Sequence, residues 1–254
     1  MKKTLIWAAC FAALAFTSCH KDPTPTPTPT PEPQTVTRLA SWENHNATNV
    51  LAMDMFATYK WEKGTLMHEC DSIVIPVMTT VSHLKMYYEG GNLVKKAEEN
   101  GSWYNAFTYE NGRLKTFLDV HNSDSVSWGE VTVYNVDGNV EEFFTYDKFG
   151  LKTKWNLTWA DGDVVKEVKE ILAPEDMIET VTTTYTYDNK PNAYTGFPLG
   201  SNIVDGGYRV ASRMSKHNMI SEGYTYNYNE KGFLTSIVAE KDSTFFNYIE
   251  QTLE

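Results

Sequence analysis

Hydrophobic and polar residues alternate over much of the chain between residues 60 and 240. From Leu151 to Trp159 every even position is polar, and the large apolar side chains fall on odd positions. From Thr180 to Tyr187 threonine occupies every even position in a similar alternation. A period of two with β-branched and aromatic residues is typical of strands that bury one face. The pattern therefore predicts β-strands over these segments rather than helices.

A recurring turn pattern separates the predicted strands. It consists of an aromatic residue, two or three polar or turn-forming residues, Gly, one further residue and an aliphatic residue. It occurs at residues 61–66, 88–93, 109–114 and 159–164, in longer form at 134–140 and 228–234, and more loosely at 146–151. Gly supplies the positive φ of a tight hairpin turn, and Asn or Asp before it tolerates left-handed backbone. These repeats predict an all-β domain that forms an antiparallel meander of Tyr-rich hairpins.

The region from Lys190 to Glu222 interrupts the alternation. It contains Pro191 and Pro198, and five Gly occur between positions 196 and 223. Because the hairpins leave one apolar face of the sheet to be covered, we predict that this irregular segment packs on or inside the curved sheet.

The chain begins with the features of an export signal. Lys2 and Lys3 precede an uncharged apolar run of twelve residues from Leu5 to Phe16. This run is too short for a spanning helix, which needs about 20 residues, and suits a signal peptide. The residues that end it, 16–19, resemble a bacterial lipobox, which implies a lipoprotein signal peptide over residues 1–18 and lipid attachment at Cys19. The alternative is ordinary secretory cleavage that leaves Cys19 unmodified.

A Pro/Thr-rich segment follows the predicted lipid attachment site. Alternating Pro in residues 23–33 favours an extended polyproline II conformation, which predicts a lipid-anchored stalk over residues 19–35. A Pro-rich recognition ligand is the alternative reading of this segment. Residues 36–254 then form a single β-domain.

Two resemblances extend these expectations. The hairpins resemble the YD repeats of RHS-type proteins over most of residues 60–240. With the lipobox, the stalk and the segments Tyr187–Asn192 and Ser215–Asn218, the chain resembles a Bacteroidota lipoprotein family of unknown function with a fold described as porin-like. This resemblance implies a curved sheet or a partly closed barrel with no assigned activity. We do not expect a pore, because the strands are short and contain Lys and Glu.

The residues after Cys19 bear on location. His20, Lys21 and Asp22 resemble the short signal that follows the lipid-bearing Cys in surface-exported lipoproteins of Bacteroidota. We therefore expect an outer-membrane, lipid-anchored protein exposed on the cell surface. The membrane itself is then a partner, which the protein contacts through its N-terminal lipid.

Composition narrows the possible partners. The chain carries 22 Lys and Arg against 33 Asp and Glu, a formal net charge of −11. Phosphate backbones require concentrated basic side chains, so we expect no nucleic acid partner. Only 3 Cys are present, and removal of Cys10 with the signal and acylation of Cys19 would leave Cys70 alone. The fold must then be stabilised by its core rather than by a disulfide.

Few motifs in the sequence carry chemistry. His68 and Cys70 could share one face of a strand, but a structural zinc site usually needs four such ligands, so we predict no metal and no cofactor. The adjacent acidic pairs Glu98–Glu99 and Glu141–Glu142 would point to opposite faces of their strands and cannot flank one glycosidic bond. We therefore predict that the protein is not an enzyme. The alternative is a catalytic pair of carboxylates from separate strands, which a single sequence does not reveal.

Surface aromatic residues are the clearer functional lead. Trp42, Trp103 and Trp128 occur in segments rich in Gly, Asn, Ser and Glu. Aromatic side chains with polar neighbours can stack on sugar faces and bind hydroxyls, so these residues are the candidate ligand platform. The alternative is that they cap the ends of the sheet.

Three Asp-Ser triplets resemble the O-glycosylation sites of Bacteroidota, with Ser72, Ser125 and Ser243 as candidates. The favoured function is a non-catalytic binding module for glycan or protein. A structural or assembly protein of the envelope is the first alternative, and a carbohydrate-active enzyme is the second.

Overall fold

The computed structural model describes residues 34–46, 53–75, 78–121, 125–172, 178–206 and 210–253. Pro33–Glu254 form one compact unit. Cys19, the predicted signal peptide and residues 19–33 of the predicted stalk lie outside the described residues.

The described chain contains seventeen strands and two short helices. They are β1 (Gln34–Asn46), β2 (Met53–Glu62), β3 (Thr65–Ile75), β4 (Met78–Glu89), β5 (Asn92–Glu98), β6 (Trp103–Glu110), β7 (Arg113–His121), β8 (Ser125–Tyr134), β9 (Val140–Tyr146), β10 (Lys152–Ala160), β11 (Asp163–Leu172), β12 (Ile178–Thr184), β13 (Thr186–Pro191), α1 (Leu199–Gly206), α2 (Val210–Met214), β14 (His217–Ile220), β15 (Thr225–Tyr228), β16 (Leu234–Val238) and β17 (Asp242–Leu253).

Fifteen of the strands form one antiparallel sheet. Strands β1 to β12 follow one another in sequence order, and β17, β16 and β15 extend the sheet beyond β1. Strands β12 and β15 are its two edges, so the sheet stays open among the described residues. The prediction of an all-β antiparallel meander is confirmed. The pairing of the first strand with the last one was not part of that prediction.

The tight turns have the backbone that the repeats predict. Lys63, Asn111 and Asp161 have φ values of 48°, 52° and 53°, and the Gly after each of them also has positive φ. Two successive residues with positive φ form a type I′ turn, whose twist matches that of the two strands it joins. The turn residues therefore set the register of these hairpins locally.

The longer turns are stabilised by the side chain of an Asn or Asp rather than by two successive residues with positive φ. Asn135, Asp147 and Asn229 each accept hydrogen bonds from two backbone N–H groups, two and four residues further along the chain. Such bonds from a short polar side chain stabilise a turn that has one extra residue.

Aromatic residues of most repeats, and Tyr187, donate a hydrogen bond to a backbone carbonyl oxygen earlier in the chain. The Tyr88 hydroxyl donates to the carbonyl oxygen of Leu66 at 2.7 Å, and the Tyr109 hydroxyl donates to that of Leu93 at 2.9 Å. The same bond joins four further pairs, namely Trp61 to Leu39, Tyr134 to Leu114, Trp159 to Val140 and Tyr187 to Val164. These donors form a ladder across the sheet, which we call the aromatic ladder. In five of these six bonds the acceptor is the carbonyl oxygen of a buried aliphatic residue that ends a repeat, namely Leu66, Leu93, Leu114, Val140 or Val164.

The segment from β13 to β14 forms a separate two-stranded sheet with α1 and α2 between its strands. Ala193, Phe197, Ile203, Val210 and Ala211 of this segment belong to the same buried core as the apolar side chains of the large sheet. We call the segment the insert and the sheet face that it contacts the inner face. The prediction that the irregular region packs on the curved sheet is confirmed.

Candidate functional site

Cavities remain between the inner face and the insert, at the end of the sheet opposite the repeated turns. One cavity of about 360 Å³, which we call the acidic cavity, is lined by Trp42, Met55, Phe56, Glu69, Asp71, Ser72, Ile73, Trp103, Asp119, His121, Val204, Asp205 and Arg213. A second cavity of about 370 Å³ has Trp42, Met55, Asp205 and Arg213 in common with it, and also Tyr194, Tyr224 and Tyr226. We call this one the tyrosine cavity. The two together form the cleft.

A buried ion cluster forms one wall of the cleft. The Lys96 side chain is 1% exposed, and its Nζ lies 2.8 Å from Asp205 Oδ1 and 2.6 Å from Glu69 Oε2. Ser201 donates a hydrogen bond to Asp205 Oδ2 at 2.5 Å. Burial lowers the pKa of Lys96, but the adjacent Asp205 and Glu69 carboxylates outweigh burial and raise that pKa above its ordinary value. The cluster therefore ties strands β3 and β5 to helix α1 through charged groups.

Asp71 adds a third carboxyl group beside this cluster. Glu69 and Asp71 are two residues apart on β3 and face the same side. Burial, together with the negative charge of Glu69, raises the pKa of Asp71 to about 8. The Asp71 carboxyl is thus mostly uncharged at neutral pH, while Glu69 and Asp205 both contact the Lys96 ammonium.

Arg213 on α2 stands where the two cavities meet. Its guanidinium carbon lies 4.5 Å from the centre of the Tyr194 ring, and its Nη1 lies 3.7 Å from Asp205 Oδ2. This Nη1 atom is buried and has no hydrogen-bond partner among the described residues. Burial lowers the pKa of Arg213, but Tyr194 and Asp205 outweigh it, so the net shift is upward and the side chain is a fixed positive charge.

Two of the three candidate Trp residues line the acidic cavity. Trp42 Nε1 donates to the Tyr59 hydroxyl at 2.8 Å, and Trp103 Nε1 donates to Asp119 Oδ1 at 2.6 Å. Trp103 also stacks on His121 with a ring-centre separation of 5.3 Å. Both Trp side chains are half-buried and are held in place by their indole N–H groups.

The structure separates Trp128 from these two. Its register partners are Leu118 and Tyr146, and it stacks on the Tyr146 ring at 3.8 Å. Its sequence neighbours Ser127 and Gly129 pair with inner-face residues, so the Trp128 side chain points to the opposite, outer face and is 42% exposed. The candidate platform is therefore divided between the two faces of the sheet.

The candidate O-glycosylation residues do not lie together. Ser72 lines the acidic cavity from the middle of β3, where it is paired with Phe56 and Val81, and Ser243 lies near the start of β17. The side chain of Ser125 is outside the described residues, as is Cys19.

No group of three or more His, Cys, Asp or Glu side chains in the described part is arranged to hold a metal ion.

Sequence reasoning missed the ion cluster. Lys96 and Asp205 are 109 residues apart, and neither belongs to a recognisable motif. Simple alternation from the buried Leu66 and Leu93 would turn Glu69 and Lys96 to the opposite face, but the register shifts at the start of β3 and β5 bring both charged side chains to the buried face. A charged residue in such a position requires a charged partner.

Comparisons with known proteins bear on the fold. The chain is similar to the crystal structure of a porin-like protein from Bacteroides uniformis, with a TM-score of 0.52 and 12% sequence identity. The alignment covers 84% of this chain and 96% of the other. The expected porin-like fold is therefore confirmed, whereas lipid attachment and the likeness to YD repeats stay predictions. No family model matches the chain, and no curated protein matches it.

The helices give one further finding. Neither α1 nor α2, the helices of the described residues, has the length and apolar character needed to cross a membrane.

Proposed function

We propose that the protein is a non-catalytic glycan-binding module whose ligand occupies the cleft. The observation that carries this proposal is the presence of Trp42 and Trp103 in one cavity together with carboxyl and guanidinium groups. Indole rings offer flat apolar faces to the C–H groups of sugar rings, while charged and polar neighbours bind the hydroxyl groups.

The tyrosine cavity extends this chemistry. It is lined by Asn44, Asn192, Asn218, Ser221 and Thr244 in addition to its Tyr side chains. Amide and hydroxyl groups both donate and accept hydrogen bonds, which suits ligands that present many hydroxyl groups. The combined size of the two cavities suits a short oligosaccharide rather than a polymer surface.

The rigidity of the cleft also favours binding. The insert is held on the sheet by the Lys96–Asp205 pair at one point and by Asp163 at another, where Asp163 Oδ1 accepts the His217 backbone N–H at 2.8 Å. A cleft that is fixed before the ligand arrives loses less entropy when the ligand binds.

For location we propose a lipid-anchored protein of the outer membrane, exposed on the cell surface. The lipobox resemblance at Cys19 and the residues that follow it support this location. Radiolabelled palmitate that enters the wild-type protein but not a Cys19→Ala variant would support the anchor.

The experiment that tests binding is a glycan array probed with the full-length protein in detergent, with each hit measured again by titration calorimetry. We expect a specific oligosaccharide to bind and to be recovered intact. Trp103→Ala should weaken binding by about 10-fold or more, since aromatic anchors dominate such sites. Trp128→Ala is the matched control and should leave the affinity within about 2-fold.

Two outcomes would contradict the proposal. An array with no specific hit would remove the glycan ligand, and cleavage products from a bound oligosaccharide would replace the binding module with an enzyme. Equal weakening by Trp103→Ala and Trp128→Ala would move the site away from the cleft.

We propose an assembly protein as the second candidate. The open edges of the sheet favour it, because β12 and β15 each have one side without a strand partner among the described residues. An unpaired edge can accept a strand from another chain. A photo-crosslinker at Thr182 of β12 that captures one envelope protein, while the same group at the exposed Asp137 does not, would support this candidate.

A further inference from the structure

We infer that the ligand of the cleft is an acidic glycan, whose carboxylate group is bound by Arg213. This inference rests on the proposed glycan-binding function and names the class of sugar that the cleft selects. Uronic acids are the common sugars with this chemistry.

The first argument is the unmet hydrogen-bonding capacity of Arg213. Its Nη1 is buried without a hydrogen-bond partner among the described residues, and the nearest carboxylate oxygen lies 3.7 Å away. A buried donor left without an acceptor is destabilising, and native proteins rarely keep one without a purpose. The position of Arg213 at the junction of both cavities makes a ligand the natural acceptor.

The second argument is that Asp205 is already occupied. Its two oxygens lie 2.8 Å and 2.9 Å from Lys96 Nζ, and Ser201 donates to one of them. Arg213 is therefore left with a distant contact rather than the two-pronged pairing that a guanidinium makes with a carboxylate. A ligand carboxylate can form that pairing.

The third argument is the charge balance beside Arg213. Lys96 and Arg213 carry two positive charges, which match the negative charges of Glu69 and Asp205. Because Asp71 is mostly uncharged at neutral pH, the cluster is close to neutral and does not repel an anion strongly.

The two other carboxylates of the cleft are engaged elsewhere. Asp119 accepts hydrogen bonds from Trp103 Nε1 and from Asn105 Nδ2 at 2.8 Å. Asp242 accepts one from Asn44 Nδ2 at 2.7 Å. These hydrogen bonds give both carboxylates fixed donors within the protein.

The surrounding aromatic groups fix the position of Arg213. Its guanidinium stacks on Tyr194 and is held on α2, so it does not have to be ordered when a ligand arrives. Lysine would present the same charge without the planar fork. We therefore expect arginine itself, and not only a positive charge, to matter for binding.

The experiment compares an acidic oligosaccharide with its carboxyl-reduced form, which differs only at the acid group. Titration calorimetry on the full-length protein in detergent should show at least about 10-fold tighter binding of an oligogalacturonide than of its reduced form. Arg213→Gln should remove most of this preference, because it should weaken binding of the acidic oligosaccharide much more than binding of the reduced form. Arg213→Lys should keep only part of the preference.

Arg113→Gln is the matched control. Arg113 is an exposed arginine that stacks on Tyr134 at 5.1 Å, at the opposite end of the sheet. Its replacement removes the same charge from the protein but should leave the preference for the acidic oligosaccharide unchanged.

The outcomes separate this inference from the proposed function. Binding of both oligosaccharides with equal affinity would overturn the acidic ligand and leave the glycan-binding function standing. Absence of binding to these and to every glycan on the array would overturn both. If Arg213→Gln does not fold, as judged by near-UV circular dichroism, the wild-type comparison and Arg213→Lys decide the question alone.

Discussion

The two ends of the large sheet are built in different ways. At the turn end, each hairpin has the same Gly turn and most carry an aromatic donor bonded to the hairpin before it. At the other end, within the described residues, only the looser turn at residues 146–151 resembles this unit, and the side chains that line the acidic cavity come from β1, β2, β3, β6, β7 and the insert. The comparison shows that repetition builds the scaffold, while the residues that depart from the repeat build the candidate site.

The two ends also differ in how much stability the protein loses when a polar group is removed. In the aromatic ladder, neutral hydroxyl and indole groups bond to backbone carbonyl oxygens, so each bond contributes on the order of 1 kcal/mol. In the cleft, charged groups are removed from water, and removing one partner leaves the other charge buried. A substitution should therefore have a small effect at the turn end and a large one in the cleft.

The largest effect is expected for Lys96→Met. Glu69 and Asp205 would lose their shared cation inside the protein, and the free energy of unfolding should fall by about 3–5 kcal/mol. Urea denaturation measures the change. Lys95→Met is the control, because Lys95 is its exposed neighbour, and the expected change is about 0.5 kcal/mol or less. Equal losses in the two variants would mean that the ion cluster contributes no more than a surface charge.

Over any single pH unit, an intermediate effect is expected from the titration of Asp71. Its pKa is raised from 3.8 to about 8 in the folded protein, because burial and Glu69 disfavour the charged form. Between these pH values the folded state keeps a proton that the unfolded state has released. Stability should therefore fall as pH rises through this range, by up to about 1.4 kcal/mol per pH unit. The fall ends above the folded pKa.

The measurement is the difference in unfolding free energy between the wild type and Asp71→Asn at several pH values. The wild type should lose stability relative to the variant as pH rises from 4 to 8, because the variant cannot ionise. Asp137→Asn, in an exposed turn, serves as the control. A difference that does not change with pH would show that Asp71 is charged in the folded protein.

The smallest effect is expected for Tyr109→Phe in the aromatic ladder. The hydroxyl that donates to the Leu93 carbonyl oxygen is lost, which should lower the free energy of unfolding by about 1 kcal/mol. Tyr87→Phe, at a 43% exposed side chain, should have almost no effect. Glycan binding should be unchanged in both variants. Weaker binding by Tyr109→Phe alone would show that the two ends of the sheet are coupled.

Most of the fold could be predicted from the sequence because the information is local. The turn at Asn111 and Gly112 depends on two residues, and the alternation from Leu151 to Trp159 depends on nine. Both act over distances that a single hairpin contains, so they set the strand register without help from the rest of the chain. The insert could be predicted for a related reason, since its Pro and Gly residues interrupt that local pattern.

The candidate site could be predicted only in part. Trp42 and Trp103 were recognised by their polar surroundings, and the structure brings them to one cavity. Trp128 has similar surroundings in sequence, but its position in β8 turns it to the outer face. Neighbouring side chains of a strand point to opposite faces, so a shift of one residue along β8 would exchange the inner and the outer face for Trp128.

The strands, their turns and the irregular segment follow from residues close together in the chain, because such residues specify hairpin hydrogen bonds and turn backbone. The pairing of β1 with β17, and the contact of Lys96 with an aspartate 109 residues away, arise only when the chain folds. Such partners meet because of the curvature of the whole sheet and the way the insert packs on it. A buried charge cannot select its partner until that packing has excluded water.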